Sequence, residues 1–334
     1  MKWFLSALLL GVVLSSEAAS AAIDVSGKWS GFPIYLTLKQ EGNVVTGSAG
    51  ETVDDQIPFP PATLEDDRLV LKFGTMEIAF TIQGDQMTGD ARNDRNSIRI
   101  VMKRMKPRDP SAPPPAFDAA TVKRTAPDSR GSNMKSTPGR LTSTNVSLKH
   151  YVVAAWGLKD YQVTGPDWID NERYDLTATM PAGTPTDEVF SMLQTLLKER
   201  FGLTMHRETK ELPVYALVVE KGGLKLPLAD GFGGTSVSGG PRGRTMNANV
   251  TMKSLAGTLS GLVDKPVIDM TEAAGGYKVK LEWTPDSPGS TEPDIATGPT
   301  IYMALHQVGL KLESRKAPVE ILVVDSANKI PAEN

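Results

Sequence analysis

Between Ile23 and Met105 apolar and polar residues alternate with a period of two, and turn-forming residues break the alternation at intervals of about ten, the pattern of an antiparallel meander. Gly42-Asn43 and Gly84-Asp85 sit at two of these breaks, where a tight hairpin needs positive φ and glycine supplies it without a Cβ clash. Asp66-Asp67 marks a third turn, between Ala62-Thr63-Leu64 and Leu69-Val70-Leu71. Residues 23–105 are therefore expected to close into an all-β small barrel or sandwich, a lipocalin-like meander.

Beyond residue 105 the pattern changes. The prolines between Lys106 and Pro115 fix φ and remove amide donors, so residues 106–116 read as an extended linker. Phe117 to Lys123 is a candidate lead-in strand, Ala126 to Pro138 a polar loop and Arg140 to Val146 a strand. Leu148, Tyr151, Val152, Ala155 and Trp156 then recur at helical spacing. Strands follow around Tyr161 to Thr164 and Tyr174 to Thr179. A longer helix has Thr184 as its cap, Pro185 in the first turn, a stripe of Val189, Phe190, Leu193, Leu196, Leu197 and Phe201, and Gly202 as its stop. A strand pair, Leu203 to Arg207 with Val214 to Glu220, closes the unit.

The chain then repeats itself. Gly139-Arg140-Leu141-Thr142-Ser143-Thr144-Asn145-Val146-Ser147-Leu148-Lys149 returns without a gap as Gly243-Arg244-Thr245-Met246-Asn247-Ala248-Asn249-Val250-Thr251-Met252-Lys253. Met252, Leu255, Ala256, Leu259 and Ser260 take the places of the first helical stripe, and four of these five stay apolar. Pro213-Val214 with Leu217-Val218-Val219 matches Pro318-Val319 with Leu322-Val323-Val324, and a second strand pair is expected over 310–314 and 319–325. A Pro/Gly/Ser loop from Asp286 to Gly298 and a shorter helix from Pro299 to Val308 precede it. The fold class is thus α+β: the β domain, then a duplicated α+β layered module with copies over 117–226 and 243–334, joined by a Gly-rich hinge over 227–242. Asn145 and Asn249 match a glycosylation acceptor pattern, but they stand where a helix needs an N-cap oxygen, and capping is the preferred reading.

Composition adds an address. Lys2, the apolar run from Trp3 to Leu14 and Ala19-Ser20-Ala21 form a Sec-type signal peptide over 1–21. The run is too short for a bilayer anchor, so the mature chain is expected not to span a membrane. With no cysteine, it has neither a lipid-attachment site nor a disulfide framework. A periplasmic or secreted bacterial protein, not a lipoprotein, fits these features. The net charge is −3, yet from Arg99 to Arg140 ten Lys/Arg face three Asp/Glu. That stretch suits a solvated linker or a tether to an anionic envelope polymer. The overall acidity and the exported address exclude nucleic acid as the expected partner.

Candidate chemistry is sparse. His150, His206 and His306 are far apart and lack metal-ligand spacing, so no metal and no cofactor is expected. On a strand, His206 and Glu208 would share a face and form an acid/base pair. The second copy carries Glu313 at the place of His206, so the scaffold does not require the imidazole. Asp167, Asp170 and Glu172 lack the alternation of a calcium loop and read as a solvated turn. Asp230 to Gly240 has no following Lys-Ser/Thr and reads as the hinge. Trp156 and Trp283 are assigned to the core. Arg140 and Arg244, repeated but without a structural role, are candidate binding residues together with His206 and Glu208; no catalytic residue is assigned.

Two resemblances follow from these residues. Gly27-Lys28-Trp29 resembles the opening of lipocalin-like barrels, where a tryptophan closes one end; this implies either a filled barrel or a pocket for an apolar ligand. Phe117-Asp118-Ala119-Ala120-Thr121-Val122-Lys123, Gly165-Pro166-Asp167-Trp168, Leu196-Leu197-Lys198-Glu199-Arg200-Phe201, His206-Arg207-Glu208-Thr209-Lys210-Glu211-Leu212-Pro213-Val214-Tyr215 and Gly309 to Glu320 are similar to the soil-associated protein family of acidobacterial genomes, a domain of unknown function. That family implies no established activity; fusions of some members to membrane-embedded sensor peptidases imply recognition or signalling. By element order alone each module is similar to the small N-terminal modules of secretins and TonB-dependent receptors. The expected function is non-enzymatic recognition of an envelope protein or anionic envelope polymer. The alternatives are an envelope hydrolase centred on His206 and a carrier of a small apolar ligand in the β domain.

Overall fold

The computed structural model describes residues 23–333 except 32–33, 74–75, 93–96, 108, 110, 241–242 and 285–298. The expected signal peptide and the loop over 286–298 lie outside the described residues. The meander consists of β1 (Gly27–Gly31), β2 (Ile34–Glu41), β3 (Val44–Thr52), β4 (Asp55–Glu65), β5 (Arg68–Phe73), β6 (Met76–Gln83), β7 (Gln86–Arg92) and β8 (Ser97–Arg104). Each strand pairs antiparallel with the next, and β1 pairs with β8 through Trp29 and Arg104, so the barrel is closed.

Period-two alternation sends Leu36, Leu38, Leu69, Leu71, Ile78, Phe80 and Met102 inward, all buried. Trp29 is fully buried, donates its indole N–H to the Val25 carbonyl at 2.9 Å, and lies under the Arg104 guanidinium at 4.4 Å. One member of this core comes from elsewhere: Phe232, from the segment between the two later units, packs into the barrel. These side chains form one core cluster inside the barrel.

The remaining chain runs as β9 (Ala119–Arg124), β10 (Asn133–Thr137), β11 (Arg140–Ser147), α1 (Leu148–Trp156), a 3-10 turn (Asp160–Gln162), β12 (Val163–Thr164), α2 (Trp168–Asn171), β13 (Arg173–Thr179), α3 (Thr186–Phe201) and β14 (Thr204–Val219). It continues as β15 (Gly234–Gly240), β16 (Gly243–Thr251), α4 (Met252–Leu259), β17 (Val267–Asp269), β18 (Gly276–Trp283), α5 (Ile301–Gln307) and β19 (Leu310–Ser326). Three sheets result, with strand orders β10-β11-β13-β9, β12-β19-β14-β17 and β15-β16-β18. The described chain is mostly sheet with few helices.

The largest departure from expectation lies in the central sheet. The anticipated strand pairs at 203–220 and 310–325 are two unbroken strands of 16 and 17 residues that pair with each other along their length, Met205 with Val324 to Val219 with Leu310. Pro213 stands inside β14 without interrupting it. The Tyr215 N–H points to the Pro266 carbonyl on the β17 side, so two residues earlier the missing N–H of Pro213 faces the same outer edge, where no ladder bond is lost.

This pairing mixes the cores. Leu322 and Val324 of β19 pack with α1 and α3, whereas Leu217 of β14 packs with α4 and α5. Val214, Ala317, Val319 and Ile321 form a cluster between them.

Smaller corrections have local causes. The polar loop over 126–138 contains β10, an edge strand. Ser147 and Thr251 cap α1 and α4, accepting from His150 N and Ser254 N at 3.2 and 3.0 Å; the asparagines do not. Asn145 takes φ +55° at a register shift and donates its amide to the Gly131 carbonyl. The α3 helix begins at Thr186 with Pro185 at the N-cap, and Phe190 in its stripe is 36% exposed. The expected turn over 167–172 is α2, whose Asp170 pairs with Lys149. The hinge over 227–242 carries both Phe232 and β15.

The first unit has a pH limit built into its core. Tyr151 is buried between the Ser143 hydroxyl at 2.5 Å and the Tyr174 carbonyl at 3.1 Å, and burial raises its phenol. Burial likewise pushes the Tyr174 phenol up to about 12, while its hydroxyl donates to the Lys329 carbonyl at 2.8 Å. The unfolded chain releases such a proton near pH 10. Between about pH 10 and 12 the unfolded state therefore binds fewer protons than the fold, and stability falls as pH rises. Denaturant midpoints measured from pH 8 to 11.5 should drop above pH 10, and Tyr174→Phe should flatten that drop while losing about 1 kcal/mol at neutral pH. An unchanged alkaline slope in the variant would discount Tyr174 as its source.

Candidate functional site

The four candidate binding residues do not converge. Arg140 opens β11, opposite Thr137 and Thr179, and Arg244 is the second residue of β16, opposite Gly239 and Trp283. Both are exposed, on different sheets. His206 and Glu208 lie two residues apart on β14, but the acid/base pair does not form. The His206 Nδ1 is 2.7 Å from Asp325 Oδ1, and Glu208 pairs with Lys210 at 2.5 Å. His206 is half exposed, and among the described residues Asp325 is the one side chain it bonds. A hydroxyl pair, Thr204 with Ser326 at 2.7 Å, stands next to it on the same strands. His306 pairs with Glu220 in the same exposed manner. Among the described residues no group of His, Asp and Glu can hold a metal ion, and no helix is long and apolar enough to cross a membrane.

A cleft of about 540 Å³ opens instead where the barrel and both later units meet. The barrel contributes the end of β3 and the start of β4: Glu51, Thr52, Asp54, Asp55 and Ile57. The 3-10 turn and its approach bring Lys159, Tyr161 and Gln162. From the last unit come α4, with Lys253, Ser254 and Gly257, and β17, with Val267 to Asp269. A volume of this order and an apolar floor with a few placed polar groups are what small-ligand sites have in common.

Each wall is held by specific bonds. Thr251 accepts from Ser254 N as the α4 cap and donates to Asp55 Oδ1 at 2.5 Å, so one hydroxyl joins helix and barrel. Gln162 accepts from Lys159 N and donates to the Glu320 carbonyl, which sets the 3-10 turn against β19. Asp269 accepts from Thr271 N and Oγ1. Burial raises the Tyr161 phenol. Ile57 is buried against Gly276, where an added Cβ would come within 2.5–2.7 Å of three Ile57 carbons.

Gly257 is the informative residue on α4. A glycine inside a helix costs about 1 kcal/mol relative to alanine, and here it leaves room for a neighbour: an added Cβ would lie 3.3 Å from Lys159 Nζ. Lys159 therefore reaches across from the first unit to α4 of the last. Lys253 ends the doubled phrase, at the place held by Lys149 in its first occurrence. Lys149 is bound to Asp160 at 3.0 Å and Asp170 at 3.2 Å; Lys253 has no ion pair among the described residues and lines the cleft.

None of the cleft residues had been singled out from the sequence. Gly257, a glycine within the second helical stripe, is the signal the sequence holds for this site. A further polar link, Ser30 Oγ donating to Asp187 Oδ1 at 2.6 Å, ties β1 to the first turn of α3, which the helix dipole also favours for a carboxylate.

No curated protein matches the chain. A family model described as a protein of unknown function, DUF3738, matches residues 149–327, a span that takes in α1 to β19 and leaves the barrel outside. That is more than half of the sequence, and it contains the cleft residues of both later units; the chain belongs to the DUF3738 family of proteins of unknown function.

Proposed function

We propose that this is an exported, non-enzymatic recognition protein of the bacterial envelope, from the soil-associated acidobacterial group, and that its recognition site is the cleft at the three-way junction. The observation that carries the reading is the cleft itself. Its walls come from three separately encoded segments, joined by Thr251–Asp55 and Gln162–Glu320, and it combines an apolar floor with polar groups of both charges. Signal-like composition at the start of the chain supports export to the periplasm or outside. The basic stretch from Arg99 to Arg140 supplies a second contact, with anionic envelope polymers.

The scaffold around the site is read as two copies of one α+β module related by a pseudo-twofold axis. Leu212 pairs with Ala317, 105 residues on (212 to 317), and that is the offset at which Pro213 to Val219 matches Pro318 to Val324. Lys210 pairs with Val319 and Val214 with Arg315, so each rung of the ladder has its counterpart at the same offset. β11 into α1 and β16 into α4 share the same strand-to-helix turn with a Ser or Thr cap. β12 lies parallel to β19, and β17 lies parallel to β14. A site next to such an axis draws residues from both copies.

The test is a fragment screen on the mature chain, read by methyl NMR. Bound fragments should shift Ile57 and Ile268, and Gly257→Leu, which fills the cleft from α4, should weaken them at least tenfold without lowering the melting temperature. Fragments that bind elsewhere, or that ignore Gly257→Leu, would reject the cleft as the recognition site.

A further inference from the structure

Opposite charges line this cleft without neutralising one another. On the barrel side stand Glu51, Asp54 and Asp55; on the family-domain side stand Lys159 and Lys253. Glu51, Asp54, Lys159 and Lys253 form no ion pair among the described residues. Asp55 is occupied by the Thr251 hydroxyl, and Asp269, the remaining carboxylate of the cleft, is occupied by Thr271. Elsewhere the chain does pair its surface charges, as in Lys39–Glu41, Lys210–Glu208 and Lys280–Glu282. Apolar surface from Ile57, Val250, Ala256, Val267 and Ile268 lines the same cleft.

We infer that the cleft takes a dipolar ligand with an apolar body, its ammonium group against Glu51 and Asp54 of the barrel and its anionic group against Lys159 and Lys253. This rests on the reading of the cleft as a ligand site and adds the chemistry of the ligand. A carboxylate and an ammonium brought out of water cost free energy unless each meets its opposite. Acidic groups on the barrel side and basic groups on the family-domain side, with apolar surface in the same cleft, meet that condition for a ligand charged at both ends. They do not meet it for an apolar molecule, which would bury unmatched charge, nor for a singly charged one, which would leave one wall unanswered. The mid-helix Gly257 fits this assignment, because it lets the Lys159 ammonium sit over α4 instead of being displaced by a side chain. Two sources offer such chemistry: a short peptide with free termini and a zwitterionic lipid headgroup.

Isothermal titration of the mature chain tests this with defined probes. These are Ala-Leu-Ala with free termini, its N-acetyl form, its C-amide, the doubly blocked peptide, and glycerophosphoethanolamine. The expected result is binding of the free peptide or of glycerophosphoethanolamine, whichever is the source. For the peptide, each block should weaken binding at least tenfold. Lys159→Gln/Lys253→Gln should erase the difference between the free carboxylate and the amide. Glu51→Gln/Asp54→Asn should erase the difference between the free amine and the acetamide. All four positions are exposed, so melting temperatures should hold. For the headgroup, both double variants should weaken binding at least tenfold. Equal binding of the blocked and free peptides would overturn the dipolar assignment while leaving the cleft a ligand site. No binding by any probe would also overturn it, and if the fragment screen fails too, the recognition reading falls with it.

Discussion

Leu322→Ala should loosen the half of the family domain to which Leu322 does not belong in sequence. Leu322 lies near the C-terminus, on β19, yet it is packed in the core of α1, α3 and β13. Leu217, at the matching place on β14, is packed in the core of α4, α5 and β18. Truncating a buried leucine to alanine costs about 2–5 kcal/mol, depending on how far the cavity collapses. For Leu322→Ala, hydrogen exchange should therefore accelerate in residues 140–201 and less in 243–307; for Leu217→Ala the order should reverse. Protection lost in each variant's own half would refute the exchanged-strand architecture.

The same geometry predicts a larger effect for truncation. Ending the chain after Ser314 removes Leu322 and Val324 from the first core and Ala317, Val319 and Ile321 from the cluster between the cores. It also strips β12 of its partner and leaves β14 from Thr204 to Val214 without β19. The combined loss exceeds the roughly 5–15 kcal/mol that a domain has to spare. The truncated chain should lose cooperative unfolding by circular dichroism and aggregate through the bared edge of β14. A fragment of residues 117–226 should behave in the same way, because its last strand has its ladder partner outside it.

What could be read from the sequence was local, and what could not was pairing. Alternation, Gly42, Gly84 and Asp66 located the hairpins of the barrel, since a meander pairs neighbours and each turn names its own strands. Leu148, Tyr151, Val152 and Ala155, and their later counterparts, were buried as the helical spacing required. The long ladder of β14 and β19 was not readable in this way, because nothing in Thr204 to Val219 says which strand it meets. Its two ends read instead as a strand pair within one unit, Leu203 to Arg207 with Val214 to Glu220. The cleft was hidden for the same reason: Asp54, Lys159 and Gly257 become neighbours only once barrel, turn and helix are packed. Arg140 and Arg244 stand near the starts of β11 and β16 and repeat because the strands do. The asymmetry within the repeat, Lys149 paired and Lys253 not, shows only in the packed structure.

Phe232→Asp should separate the barrel from the family domain and abolish binding in the cleft. Phe232 follows Gly231, whose φ is +137° and whose Cβ, if present, would lie 3.0 Å from the Phe73 Cα. The backbone is thus pressed against the barrel at a position only glycine fills easily, and the ring enters a core with Phe59, Phe73 and Leu71. Loss of a buried phenylalanine side chain costs about 3–5 kcal/mol, and a carboxylate in its place adds the expense of burying an unpaired charge. Other ties among the described residues are smaller, such as Ser30 to Asp187, Thr251 to Asp55, and the contact of Ile57 with Gly276. Calorimetry should show the parent's main transition split into two, with scattering reporting a longer particle. Gly276→Val offers an independent route, since its Cβ would meet Ile57 from the other side of the junction without touching the barrel core. Both variants should lose the ligand response at Ile57 and Ile268 together, because Ile57 leaves with the barrel and the floor it shared with Ile268 opens to water. If Phe232→Asp separates the domains yet Ile268 still reports ligand with unchanged affinity, the barrel is no part of the site, and Glu51 and Asp54 have no share in recognition.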